Sequence, residues 1–275
     1  VQIDIGIACS KNQDHDWWGR NVPEWLRLAA GGVVEFEGFL AVGSALTDHN
    51  RNHIVGHHLA GTSDAIWWID DDVVVPPGTL ERLVALDAAI AAGVYYMGKP
   101  PCHPVVYGRR EDGLYSPLWD YQVGEIVEAD SVGMGCTLVR REVYERIQEE
   151  FVLFRRARTA TVVPVHRGDV VKTRALAKQV RRHGGQVLVD RHGVAVMVEP
   201  MGPAGEVDVW PFYAFENGRT EDHWFCEMAR RVGFRIVVDT GIECQHWKLR
   251  PITGESFREM RSLYEQQEAG NNEGT

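Results

Sequence analysis

Apolar and polar positions alternate along the first 95 residues in blocks that change period. Ile3-Asp4-Ile5-Gly6-Ile7-Ala8 reads as a first strand, followed by the polar loop Ser10 to Asp16. A helix start at Pro23-Glu24-Trp25-Leu26 and a strand near Val33 to Val42 come next. Asp48 or Thr47 can cap a helix through Arg51, Ile54, Val55 and Leu59 that ends near Gly61. Ala65-Ile66-Trp67-Trp68-Ile69 is then apolar without a break, as a strand buried on both faces should be. After Pro77-Gly78, the spacing of Leu80, Leu83, Val84, Leu86 and Ile90 predicts a helix, with Gly93 as its stop. This alternation of strands and helices predicts an α/β domain with a mostly parallel central sheet and helices on its faces.

The middle of the chain is less regular. Short strands are expected at Val94 to Tyr96, Val105 to Tyr107 and Glu125 to Asp130, and Arg141 to Ile147 has helix composition. From about 151 to 211 the pattern reads as an inserted α+β unit: a strand at Ala160 to Val165, a helix capped by Asp169 and closed by Gly184-Gly185, and a hairpin. The hairpin joins Gln186–Val189 to Val194–Glu199 through Asp190-Arg191-His192-Gly193. Thr220 then caps a helix with Glu221 and Asp222 in its first turn, Arg230 and Arg231 in its last, and Gly233 as its stop. A strand at Phe234 to Asp239 precedes a loop that delivers His246. Residues 268–275 have the composition of a disordered tail on an otherwise single domain.

Length and composition narrow this picture without changing it. At 275 residues the chain suffices for one large α/β domain, and its 25% charged residues are ordinary for a soluble protein. No apolar run reaches the ~20 residues a membrane span needs, and no leader pattern opens the sequence. Five widely spaced cysteines without a Cys-x-x-Cys pair fit reduced, buried thiols and a cytoplasmic location. The net charge of −10 is segregated: from 151 to 195, ten lysines and arginines against two acids leave that stretch at +8 and the rest at −18. Either the stretch faces an anion or it is a solvated face.

The strongest chemical signal is Asp70-Asp71-Asp72, three carboxylates at the end of the buried strand. Adjacent carboxylates repel unless a cation sits among them, and hard oxygen ligands suit Mg²⁺ or Mn²⁺. In open α/β sheets, ligands collect at the carboxyl ends of strands, where these aspartates fall. A metal on Asp70 and Asp72 would neutralise a diphosphate leaving group, and a carboxylate at the Thr220 helix start would take a proton from an attacking hydroxyl. Taken alone, Glu221 and Asp222 are better explained as charges that complement the helix dipole, and His246 as a packed surface histidine.

Taken together, Trp67-Trp68-Ile69-Asp70-Asp71-Asp72 with Val74-Val75-Pro76, Gly133-Met134-Gly135-Cys136, Glu221-Asp222-x-x-Phe225-Cys226, Asp239-Thr240-Gly241 and His246 resemble the nucleotide-sugar-dependent glycosyltransferases of the GT-A fold. The similarity is to the inverting, family-2-like group, and it covers about residues 1–150 and 212–250. It implies Mn²⁺ or Mg²⁺ and a nucleoside-diphosphate sugar donor, a UDP-sugar first. Asp72 would bind the metal, Asp70 would contact the nucleotide or share the metal, and Asp71 is open to either part. His246 would be a further metal ligand or diphosphate contact. Asp222 would be the catalytic base, with Glu221 as its alternative. Ala8, Ser10 and Arg51 would lie near the nucleotide. Gly133, Met134, Gly135, Cys136 and Trp224 would line the donor and acceptor region.

The acceptor does not follow from the resemblance. The +8 segment, with Lys172, Arg174, Lys178, Arg181, Arg182 and Arg191, would suit a phosphate backbone, making DNA with a hydroxymethylated pyrimidine one acceptor to consider. Trp119, Trp210, Phe212 and Tyr213 would then stack on an extruded base or on a sugar ring. Glycans, lipid phosphates and proteins are the competing acceptors. Two other functions compete: a nucleotidyltransferase, disfavoured because Ala8 to Asp16 lacks a glycine- and lysine-rich phosphate loop, and a non-catalytic sugar-binding module.

Overall fold

The computed structural model describes residues 1–9, 15–31, 35–43, 47–155, 162–166, 186–189, 195–198, 211–215, 219–247, 251–255, 257–258 and 261–262. In chain order the first half runs β1 (Gln2–Cys9), α1 (His15–Gly31), β2 (Glu35–Gly43), α2 (Thr47–Ala60), β3 (Ala65–Ile69), β4 (Val73–Val74), α3 (Thr79–Ala85) and β5 (Ile90–Val94). Then come β6 (Val106–Arg109), β7 (Tyr115–Pro117), β8 (Ile126–Ala129), β9 (Ser131–Val132), β10 (Cys136–Arg140) and α4 (Arg141–Glu150). The remainder holds β11 (Phe151–Arg155), β12 (Val162–His166), β13 (Gln186–Val189), β14 (Ala195–Val198), α5 (Glu221–Arg231), β15 (Ile236–Glu243), β16 (Gln245–Trp247) and β17 (Pro251–Ile252).

Seven strands form the central sheet in the order β2-β1-β3-β10-β5-β15-β8. It is a mixed sheet: β10 and β8 run against the other five, so three neighbouring pairs are parallel and three antiparallel. The reversal of β10 has a local cause. The chain enters it from the Gly133–Gly135 turn, pairs Cys136 with Ile69 and leaves at Arg140 opposite Ala65. That turn is thereby set at the carboxyl end of β3, beside the aspartates.

Alternation along β3 supplies both faces of the sheet. Ala65, Trp67 and Ile69 pack with Trp17, Trp25 and Leu28 of α1 and Leu80 and Leu83 of α3. Ile66 and Trp68 pack on the other face with Ile54 and Val55 of α2, Tyr144 and Ile147 of α4 and Phe225 of α5. Trp67 and Trp68 are fully buried, each contributing roughly 1.5–3 kcal/mol of transfer free energy.

Three element boundaries differ from the sequence reading. α1 begins at His15 and contains Pro23. Edge-to-face packing among Trp17, Trp18 and Trp25, with centroids 5.1–5.9 Å apart, carries the helix across a residue that usually interrupts one. The helix after Gly78 stops at Ala85, and Ile90 begins a strand. Gly93 is therefore no helix stop but a mid-strand residue, where a Cβ would come within 2.6 Å of Ile242. His246 arrives on a strand rather than a loop, in the small sheet β17-β16-β4.

The predicted insert supplies a separate four-stranded sheet, β12-β11-β14-β13, including the expected antiparallel hairpin of β13 and β14. Lys172, Arg174, Lys178, Arg181, Arg182 and Arg191, the helix predicted after Asp169, and residues 268–275 lie outside the described residues. Among the described residues no helix is long and apolar enough to cross a membrane. Cys102, Cys136, Cys226 and Cys244 are buried and in the reduced state.

Candidate functional site

The site is built where β3, α2, α5 and the Gly133–Gly135 turn converge. α2 has a polar buried face, an unusual feature that the hydrophobic pattern does not explain. Asn52 exchanges hydrogen bonds with the Tyr213 backbone at 2.8 and 2.9 Å, and His58 Nδ1 lies 2.7 Å from Asp4 Oδ2 on β1. With the helix so anchored, Arg51 projects inward with only 2% of its side chain exposed.

Arg51 is the hub of the carboxylates. Its Nη2 donates to Asp70 Oδ1 at 2.8 Å, and its Nη1 donates to Glu221 Oε1 at 3.1 Å and to Asp222 Oδ1. The cation near the aspartates is thus, for Asp70, a guanidinium contributed by the protein. Three carboxylates around one guanidinium still leave an excess of negative charge. Burial pushes the Asp222 carboxyl up to about 8; Arg51 pulls against that shift, while Glu221 and Asp70 add to it. Burial likewise raises Glu221, again opposed by Arg51. Although burial alone would disfavour its charge, Arg51 is held protonated by Asp222, Asp70 and Glu221.

The helix-cap explanation of Glu221 and Asp222 holds together with a place in the site. Thr220 caps α5 by accepting from the His223 amide at 3.4 Å. Asp222, 17% exposed, also accepts from the Met134 amide at 3.4 Å through Oδ2. That contact depends on the two glycines flanking Met134. A Cβ on Gly133 would fall 1.9 Å from the Tyr95 hydroxyl, and one on Gly135 would fall 2.9 Å from the same ring. The turn lies directly on Tyr95, whose hydroxyl is kept protonated by burial and by the charges of Asp70 and Asp222.

A second arrangement lies on the other side of the aspartate run. β16 pairs with β4, setting His246 opposite Val73, and the Trp247 amide donates to the Asp72 carbonyl at 2.6 Å. His246 Nε2 thereby comes within 3.3 Å of Asp72 Oδ1. The Nδ1 atom is 2.6 Å from the Tyr96 carbonyl, an acceptor only, so Nδ1 carries a proton. In the neutral ring, Nε2 then presents a lone pair toward a carboxylate. Such a pair is complete only with a proton or a metal ion between its members. Among the described residues no group of three or more His, Cys, Asp or Glu is assembled for a metal. Asp72 and His246 stand as a pair and not as part of a larger ligand group among the described residues.

The structure thus brings Asp70, Asp222, Glu221, Arg51 and Met134 into one cluster, and Asp72 and His246 into a neighbouring pair. Asp71 lies in the turn between the two aspartates. Ala8 is buried at the end of β1, and Ser10 lies outside the described residues. Four expectations are corrected. Trp224 is a core residue 3% exposed, and the Met134 and Cys136 side chains are wholly buried, so none of the three lines an open site, Met134 reaching it by its amide alone. Phe212 and Tyr213 are buried at 1% and 0%, with Tyr213 under the Arg51 guanidinium at 5.6 Å, so neither can stack on an extruded base. Trp210 lies outside the described residues.

Sequence reasoning missed Tyr95, the Tyr96 carbonyl and the His223 environment. His223 stacks on Tyr115 at 4.4 Å, meets the edge of Tyr107, and has Nδ1 2.7 Å from Ser131 Oγ. Burial lowers it to about 4, so it is neutral beside Asp222. Its position next to Asp222 was the one available signal.

No family model and no curated protein matches the chain. Among solved structures, it is similar to the crystal structure of A197 from STIV, at 12% identity and a TM-score of 0.45 over 90% of this chain and 85% of that one.

Proposed function

We propose that this protein is a glycosyltransferase of the GT-A type, moving a sugar from a nucleoside-diphosphate donor, a UDP-sugar first, to an acceptor hydroxyl with inversion. The observation that carries the reading is the division of labour at the end of β3. Asp70 is tied through Arg51 to Asp222, whereas Asp72 Oδ1 and His246 Nε2 face each other across 3.3 Å. Five strands of the sheet share a direction, and the aspartates follow one of them at its carboxyl end, where α/β sheets collect ligands.

Asp72 and His246 would hold Mn²⁺ or Mg²⁺. The chemistry of the pair fits: one carboxylate oxygen, and one imidazole fixed by a carbonyl behind it. Two protein ligands also leave most of the coordination sphere to phosphate oxygens and water, as is usual for these ions. When bound, the ion would supply charge neutralisation for the departing diphosphate. The other roles fall to side chains of this chain. Asp222 would accept the acceptor hydroxyl's proton, with a pKa raised toward the range in which a general base works well near neutrality. Arg51 would hold Asp222 and Asp70 in fixed orientation, and the Met134 amide would steady the second Asp222 oxygen.

The test is incubation with a panel of nucleotide sugars and Mn²⁺, reading release of nucleoside diphosphate and sugar transfer. Hydroxymethylated duplex DNA belongs among the acceptors because of the +8 segment. Release that needs both a divalent ion and Asp72 supports the reading. Full turnover by Asp72→Ala, or by wild type in excess chelator, would refute it.

A further inference from the structure

α2 carries a second chemical feature, on the face opposite Arg51. His49, His53 and His57 recur every four residues, a spacing that aligns them along one stripe of a helix. The stripe faces outward: His49 and His57 are exposed, while Asn50, Arg51, Ile54 and Val55 are buried. The Nε2 atoms of His49 and His53 are 3.0 Å apart, with ring centroids 4.4 Å apart and planes at 76°. Two imidazoles set Nε2 to Nε2 can meet in two ways. They share one N–H between them, or both carry the proton on Nδ1 and turn two lone pairs toward one ion.

The separation selects the kind of ion. With metal–nitrogen bonds of about 2.0–2.1 Å, nitrogens this far apart close an angle of about 95° at the metal. That is close to the right angle between adjacent ligands of a tetragonal ion and short of the tetrahedral angle zinc adopts. Imidazole pairs of this kind suit Cu²⁺ and Ni²⁺, which also lie at the high end of the affinity order for divalent ions. We propose that His49 and His53 form a chelating site for Cu²⁺ or Ni²⁺, with water in the remaining positions and His57 one turn further along the stripe. The site is separate from Asp72 and His246, which suit a hard ion. The turns it would tie together present Arg51 on their inner face, so a bound ion would brace the start of the helix that holds the carboxylate cluster.

The experiment is titration of Cu²⁺ and Ni²⁺ into the full chain, followed by calorimetry, by the nitrogen hyperfine pattern of bound Cu²⁺, and by amide exchange across residues 47–60. A Cu²⁺ ion with two nitrogen ligands that is retained in Asp72→Ala is expected, slowing exchange in α2. His49→Ala and His53→Ala should each weaken binding about tenfold or more, since each turns a two-point chelate into one contact. Asp72→Ala should leave it intact, whatever becomes of the proposed transferase activity. Equal Cu²⁺ binding by wild type and the folded double variant, or loss of the signal in Asp72→Ala, would overturn the assignment.

Discussion

The Arg51 cluster and the Asp72–His246 pair stand on either side of one aspartate run, and they settle their charge in opposite ways. Asp70, Glu221 and Asp222 share a buried guanidinium that the protein supplies from α2. Asp72, 30% exposed, faces His246 Nε2 at 3.3 Å, and the other ring nitrogen of His246 donates to the Tyr96 carbonyl. The first group is drawn together on a cation from within the protein, though one guanidinium offsets only part of its charge. The second is partly exposed, so an outside cation has access to it. Adjacent residues in sequence thus acquire different chemistry because each meets a different element of the fold.

Four experiments bear on that contrast. The largest effect is expected at Asp222. Asp222→Asn should lower sugar transfer by about 10²–10⁴-fold, the usual cost of losing a general base, while nucleotide affinity stays near wild type. Wild-type turnover should also rise as pH passes about 8, where the carboxylate forms. If Glu221→Gln is the slow variant instead, the base is the neighbouring residue.

Arg51→Ala comes next. It leaves three carboxylates without their shared cation, and a cost of about 3 kcal/mol in chemical denaturation is expected, partly relieved by protonation at low pH. A variant as stable as wild type would mean that Arg51 does not offset the cluster's charge. His246→Ala should be milder for the fold. It should lower Mn²⁺-dependent nucleotide binding by about tenfold, read by calorimetry, without shifting binding measured in chelator. Equal loss under both conditions would make His246 a nucleotide contact and end the contrast.

The smallest effect concerns His223. Burial lowers its pKa to about 4, so between that value and the ordinary 6.5 the unfolded chain binds more protons than the folded one. Stability should therefore rise with pH across this window and fall on acidification through it. His223→Gln should flatten the slope in thermal unfolding measured from pH 4 to 6.5. An unchanged slope would show that other groups carry it.

Much of the scaffold was legible because its signals are local. The buried strand Ala65–Ile69 announces itself by five consecutive apolar residues, and α5 by a threonine cap with acids first and arginines last. The α2 boundaries followed from Thr47 and Gly61. These patterns depend on residues within one or two turns of each other, where backbone geometry and solvation act without the rest of the molecule.

Tertiary structure decided everything that depends on which distant group comes near. Arg51 meets Asp222 across 171 positions, and the Tyr96 carbonyl meets His246 across 150. No periodicity encodes such a pairing, so the guanidinium that serves Asp70 could not be read from the sequence. Gly93 looked like a helix stop until β15 laid Ile242 against it. Trp224, Phe212 and Tyr213 looked like ligand-facing aromatics until the sheet buried them. A sequence determines which side chains can carry charge, donate a proton or fill a core. Whether an aspartate ends beside a guanidinium or an imidazole is set by the packing of α2 and the β4–β16 pairing, because electrostatic and hydrogen-bond energies depend on distances that only the folded chain defines.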